Sequence, residues 1–147
     1  MKLNKQQITK LIKHQEPFVF VDEAEIINDN EIIGTFTLKE NNSILTGHFP
    51  NFPILPGVIA IEMMAQTALI LSAYRENLTS DQYDTYFVKI ENISFKSFIA
   101  PPANLTIKIM SEPYLMPNYH KISGSIFDDK KRKCYGEIIS YFKKKEI

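Results

Sequence analysis

From Val58 to Ala73 the chain reads VIAIEMMAQTALILSA, and wound as a helix this stretch is apolar on nearly every face. A helix that is oily all round has to be buried all round. A short chain cannot supply that burial with other helices unless it carries several of them. The second half of this chain instead carries β-branched and aromatic runs. They span Tyr86 to Phe98, Asn104 to Glu112, Tyr119 to Phe127 and Lys133 to Phe142, with turn residues at Pro101-Pro102 and Asp128-Asp129. Glu31 to Lys39 adds a strand in which Ile32, Gly34, Phe36 and Leu38 alternate with Ile33, Thr35, Thr37 and Lys39. One buried helix with five or six strands predicts an α+β fold, an antiparallel sheet wrapped around the helix.

The rest of the chain fits one domain over residues 1–147. No repeat, low-complexity tract or linker divides it. Asn4 and Gln7 have the spacing of a capping box, with Leu3 and Ile8 placed as a hydrophobic staple. A short helix is expected from there, ended by Pro17. Seventeen basic residues balance seventeen acidic ones. That balance argues against nucleic acid as a partner, which asks for a basic stripe. The lone Cys134 allows no internal disulfide and fits a reducing compartment. The opening MKLNKQQITK lacks the apolar run of a signal peptide. The run from Val58 to Leu71, broken by Glu62, Gln66 and Thr67, reads as too short and too polar to span a bilayer. A soluble, cytoplasmic protein with no membrane partner is the expectation.

Two segments hold residues suited to chemistry. Thr46 to Gly57 reads TGHFPNFPILPG, with three prolines and two glycines in twelve residues. Prolines fix φ and remove donors, so this is an ordered loop. It holds His48 in place, and imidazole is the side chain suited to proton transfer near neutrality. Read alone, His48 is better taken as a turn residue packed under Phe49. Glu62 sits inside the oily helix with Gln66 one turn on, on the same face. A carboxyl in such a setting is costly to bury unpaired. Read alone, the pair serves equally as a buried hydrogen bond or a polar strip at a subunit interface. Together His48 and Glu62 offer a base and an acid. The helix N-terminus at Gly57 adds a backbone donor that a ligand can approach closely.

His14 reads as a helix-end residue and His120 as structural or exposed. Neither they nor Cys134 have metal-ligand spacing, so no metal and no cofactor are expected. Cys134 lacks an activating context. The basic runs Lys130 to Lys133 and Lys143 to Lys145 read as solvated surface.

At this point the residues carry a resemblance. The segment HQEPFVFVD, His14 to Asp22, resembles the HRYPFLLVD-type segment of FabZ-type 3-hydroxyacyl-acyl-carrier-protein dehydratases. GHFPNFPILPGVIAIEMMAQ, Gly47 to Gln66, is similar to that family's GHFPxxPxxPGVxxxExMAQ signature along its whole length, without a gap. The resemblance implies a hot-dog fold and a homodimer, or a trimer of such dimers, with two active sites at the interface. His48 would come from one chain and Glu62 from the other. It implies His48 as catalytic base and Glu62 as catalytic acid in a β-elimination. It implies Gly57 as donor to the thioester oxygen, Gln66 as an orienting residue, and Val58, Ile61 and Phe49 as substrate-binding residues. The implied partner is an acyl carrier protein.

Departures from the family pattern point to a specialised branch serving a polyene, a pigment or another secondary pathway. Gln15-Glu16 stands for Arg-Tyr. Thr67, Ala68 and Leu69 stand where a glycine-containing stretch is usual, which narrows or redirects an acyl tunnel. KSFIAPPAN replaces the family's basic segment and keeps only Lys96. Two other readings stay open: a hot-dog thioesterase, and a non-catalytic acyl-carrier or lipid-binding module.

Overall fold

The structure is a computed structural model, and it describes residues 1–146. In chain order the elements are β1 (Lys2–Leu3), α1 (Lys5–Leu11), β2 (Glu23–Ile26), β3 (Glu31–Leu38), a 3-10 turn (Ser43–Leu45), α2 (Gly57–Arg75), β4 (Tyr83–Phe95), β5 (Ala103–Tyr114), β6 (Met116–Asp128) and β7 (Lys131–Lys144). The strands form one sheet in the order β1-β2-β3-β5-β6-β7-β4. Every described pairing is antiparallel. The helix-and-sheet layout expected from the sequence is therefore present, with seven strands in place of five or six.

The alternation in β3 holds: Ile32, Gly34, Phe36 and Leu38 are its buried residues. β5 repeats the pattern with Ala103, Leu105, Ile107, Ile109 and Ser111. These two faces meet α2, which packs across β3, β5, β6 and β7. The chain leaves β3, runs through α2 and reaches β4 at the far edge of the sheet. That crossing places the helix over the middle of the sheet.

Burial of α2 is unbroken from Gln66 to Ala73. By length and composition this helix is apolar enough to cross a membrane, contrary to the shorter run read from the sequence. The sheet covers it instead. Its first half departs from the all-round burial predicted. Val58, Ile61, Glu62 and Ala65 stay exposed or half-buried, and Val58 is 72% exposed. These four positions are i, i+3, i+4 and i+7, one continuous face. Edge strand β4 leaves Tyr86, Phe87, Val88 and Ile90 exposed as well. A period argument sees that a face is apolar; it does not see which element of the chain reaches that face.

The N-terminal helix forms as expected. Asn4 Oδ1 accepts from the Gln7 amide at 2.9 Å, and Gln7 Oε1 accepts from the Asn4 amide at 2.8 Å. Leu3 and Ile8 are both buried. The helix stops at Leu11, well before Pro17, because Ile12 turns to extended backbone and buries its side chain. The residues from Lys13 to Phe18 are thus free to loop back over α2. β4 also begins earlier than expected, at Tyr83, whose ring is buried and whose hydroxyl donates to the Leu11 carbonyl at 2.7 Å.

Candidate active site

The site residues fall into two groups, which line two separate cavities along α2. The first group gathers around His48. The loop after the 3-10 turn is held by backbone bonds: the His48 amide donates to Leu45 O at 3.1 Å and the Ile54 amide donates to His48 O at 2.9 Å. The imidazole Nδ1 lies 3.2 Å from Ile54 O. A carbonyl oxygen only accepts, so this contact places the ring proton on Nδ1 and leaves Nε2 bare. The Phe49 ring stacks on the imidazole, centroids 4.4 Å apart, while Phe49 itself is half exposed.

His48 shares a cavity of about 260 Å³ with Gly57, Phe95, Phe98, Lys133 and Cys134. Gly57 opens α2 there, and Pro56 before it has no side chain to cap the first-turn amides. A Cβ on Gly57 would sit 3.0 Å from the Phe95 ring, so a larger residue here would make that half-exposed ring shift. Burial pushes the Cys134 thiol up to about 11, which removes it as a nucleophile.

The second group gathers around Glu62, which lines a separate cavity of about 260 Å³ with His14, Gln66, Ala65, Ala68, Leu69 and residues of β4, β6 and β7. Gln66 is fully buried and every bond it makes is assigned by its surroundings. Its Oε1 accepts from the Phe20 amide at 2.9 Å. Its Nε2 donates to Phe18 O at 3.0 Å and to Glu62 Oε2 at 2.9 Å. Two backbone partners of opposite sense leave the amide one orientation, and in it Gln66 can only donate to Glu62.

The expected i, i+4 pair is therefore present, and its surroundings hold it in place. Gln66→Leu keeps the volume but strands the Phe20 amide and the Phe18 carbonyl. We expect a loss of about 2 kcal/mol or more of folding stability, read as a lower midpoint in urea unfolding. An unchanged midpoint would show that the network is dispensable.

His14 is the residue that sequence reasoning missed. It is no helix-end residue. Its Nε2 lies 3.1 Å from Glu62 Oε2. The available signal was its place at the head of the HQEPFVFVD segment. Val58 and Ile61 line neither of the two cavities. Thr67 does not narrow the Glu62 cavity: it is buried, its hydroxyl donates to Met63 O at 2.7 Å, and its side chain packs toward Gly34. Ala68 and Leu69 do line it. His120 lies apart from both groups, its Nε2 3.5 Å from an Arg75 nitrogen. Burial, with Arg75 adding to it, holds the imidazole below its ordinary range. Within one chain, then, His48 lies with Gly57, and Glu62 lies with Gln66 and His14, in separate cavities.

A curved antiparallel sheet on one long central helix defines a hot-dog domain. A chain of the dehydratase heterocomplex ApeI:P from Xenorhabdus doucetiae has the same fold, with a TM-score of 0.78 at 16% identity over 95% of this chain and 91% of that one. A hypothetical thioesterase with coenzyme A from Streptococcus pneumoniae shares it too, with a TM-score of 0.61 at 13% identity over 84% of this chain and 88% of that one. The fold by itself thus does not separate dehydration from hydrolysis.

The sequence shows which family the chain falls in. A family model described as ApeI-like, ApeI dehydratase, matches residues 24–133. The 3-hydroxyacyl-[acyl-carrier-protein] dehydratase FabZ of Rhizobium etli is 44% identical over 96 residues, 65% of this chain and 61% of that one. FabZ of Sinorhizobium medicae is 38% identical over 108 residues, 73% of this chain and 69% of that one. The chain belongs to the ApeI-like dehydratase family, among the relatives of FabZ. It spans 61% of the length of the Rhizobium relative it matches.

Proposed function

We propose that this protein dehydrates 3-hydroxyacyl thioesters to trans-2-enoyl thioesters, with the acyl group presented on a carrier protein. The observation that carries the reading is His48. Its Nδ1 is committed to Ile54 O, its bare Nε2 serves as a base, and it shares a cavity with the uncapped amide of Gly57.

The thioester carbonyl accepts from the Gly57 N–H, which stabilises the negative charge that develops on that oxygen. His48 Nε2 takes a proton from C2. The C2–H electron pair forms the C2–C3 double bond, and the C3–O bond breaks. Glu62 delivers its proton to the departing hydroxyl, which leaves as water. His48 then holds one proton too many and Glu62 one too few, and exchange with solvent resets both.

A base and an acid in separate cavities of one chain cannot act on one substrate. We infer that a second copy of this chain completes each site, with His48 from one protomer and Glu62 from its partner. The open face of α2 through Val58, Ile61, Glu62 and Ala65 and the apolar edge β4 support that reading. The Xenorhabdus neighbour is a heterocomplex. Here a second copy suffices, because the chain carries both His48 and Glu62. The FabZ relatives and the lone buried thiol of Cys134 favour the cytoplasm. The altered segment from Lys96 to Asn104 supports a specialised acyl substrate.

The test is reversible hydration of a short trans-2-enoyl thioester, followed by loss of enoyl absorbance. The reading requires turnover without release of free thiol. Free thiol would assign a thioesterase, and binding without either change would assign an acyl-binding module.

A further inference from the structure

Glu62 has two oxygens, and the structure treats them differently. Oε2 meets both Gln66 Nε2, at 2.9 Å, and His14 Nε2, at 3.1 Å. Oε1 has no hydrogen-bond partner among the described residues. A carboxylic acid must carry its proton on one of the two. Were it on Oε2, the proton could not point at Gln66, whose amide nitrogen is a donor only. It would have to point at His14 Nε2, and His14 would then carry its own proton on Nδ1. That nitrogen is buried and has no partner in reach. A buried N–H with no acceptor costs on the order of 1–3 kcal/mol.

The opposite arrangement strands only a lone pair. His14 carries its proton on Nε2 and donates it to Oε2, beside the donation from Gln66. The transferable proton is then confined to Oε1. The ring stacks beside Phe18, whose carbonyl holds Gln66, so one short segment fixes both donors.

We infer that His14 is a positioning residue for the proton of Glu62: with Gln66 it occupies Oε2 and so makes Oε1 the acid. The inference rests on the dehydratase reading for its consequence in turnover, though not for the pairing itself. His14 reaches no reacting atom; it acts through the carboxyl group.

Two variants distinguish this role from plain structural support. His14→Ala removes the donor and should lower kcat for enoyl-thioester hydration by roughly tenfold or more, part of the 10²–10⁴ that a placed acid contributes. KM should change far less than kcat: His14 is one residue of the cavity lining, and its main role runs through the carboxyl group. His14→Gln places an amide N–H near the same oxygen and should recover most of that loss. Equal impairment of the two variants at unchanged melting temperature, or full kcat in His14→Ala, would overturn the inference.

A second readout needs no turnover. In protein carrying ¹⁵N-labelled histidine, held in alkaline buffer, the His14 signals, assigned by their absence in His14→Gln, should report a proton on Nε2. They should shift in Glu62→Gln. The reverse tautomer, or signals indifferent to Glu62, would also overturn it. Expected spectra from a protein that hydrates no enoyl thioester would uphold the pairing while rejecting the dehydratase reading.

Discussion

His48→Ala is expected to lower kcat for hydration of an enoyl thioester by about a thousandfold or more, within the range a positioned base contributes. The fold should survive the change. The loop around His48 is held by its backbone, through the bonds to Leu45 O and from the Ile54 amide, and neither uses the imidazole. What the variant removes is the Nδ1 contact to Ile54 O and the stacked face of Phe49. The melting temperature should therefore stay close to wild type while the rate collapses. A His48→Ala protein that keeps more than a tenth of the rate would remove His48 from the chemistry.

Glu62→Gln is the second large effect. The substitution keeps length and shape. Its side-chain carbonyl can still accept from Gln66 and His14, where Glu62 Oε2 now accepts at 2.9 and 3.1 Å. It has no acidic proton to give to a departing hydroxyl. Loss of kcat on the order of a hundredfold to ten-thousandfold is expected, with KM little changed because the cavity lining stays the same. A parallel rise in KM with kcat intact would mean that Glu62 binds and does not protonate.

Much of this was legible in the chain itself. The oily stretch from Val58 to Ala73 required a cover, and the alternation of Ile32, Gly34, Phe36 and Leu38 named one strand that supplies it. The Asn4–Gln7 capping box is local chemistry and formed as its spacing implies. His48 and Glu62 stood out because each breaks the character of its own segment.

The misses are long-range or short. β1 and β2 are too short to show a period. The contact between His14 and Glu62 joins positions 48 residues apart, and no periodicity reports it. Nor does periodicity say that the open side of α2 lies at Val58, Ile61, Glu62 and Ala65. That follows from where the sheet stops.

The central claim is a site completed by two chains, and mixing the two inactive variants tests it most directly. His48→Ala and Glu62→Ala are each unfolded together, refolded as a mixture, and assayed for enoyl-thioester hydration beside each alone. In a mixed dimer one of the two sites joins an intact His48 to an intact Glu62 from the other chain. The mixture should regain a substantial fraction of wild-type activity, up to about a quarter if protomers pair at random. A mixture that contains mixed dimers by mass spectrometry and still shows no activity would contradict the account.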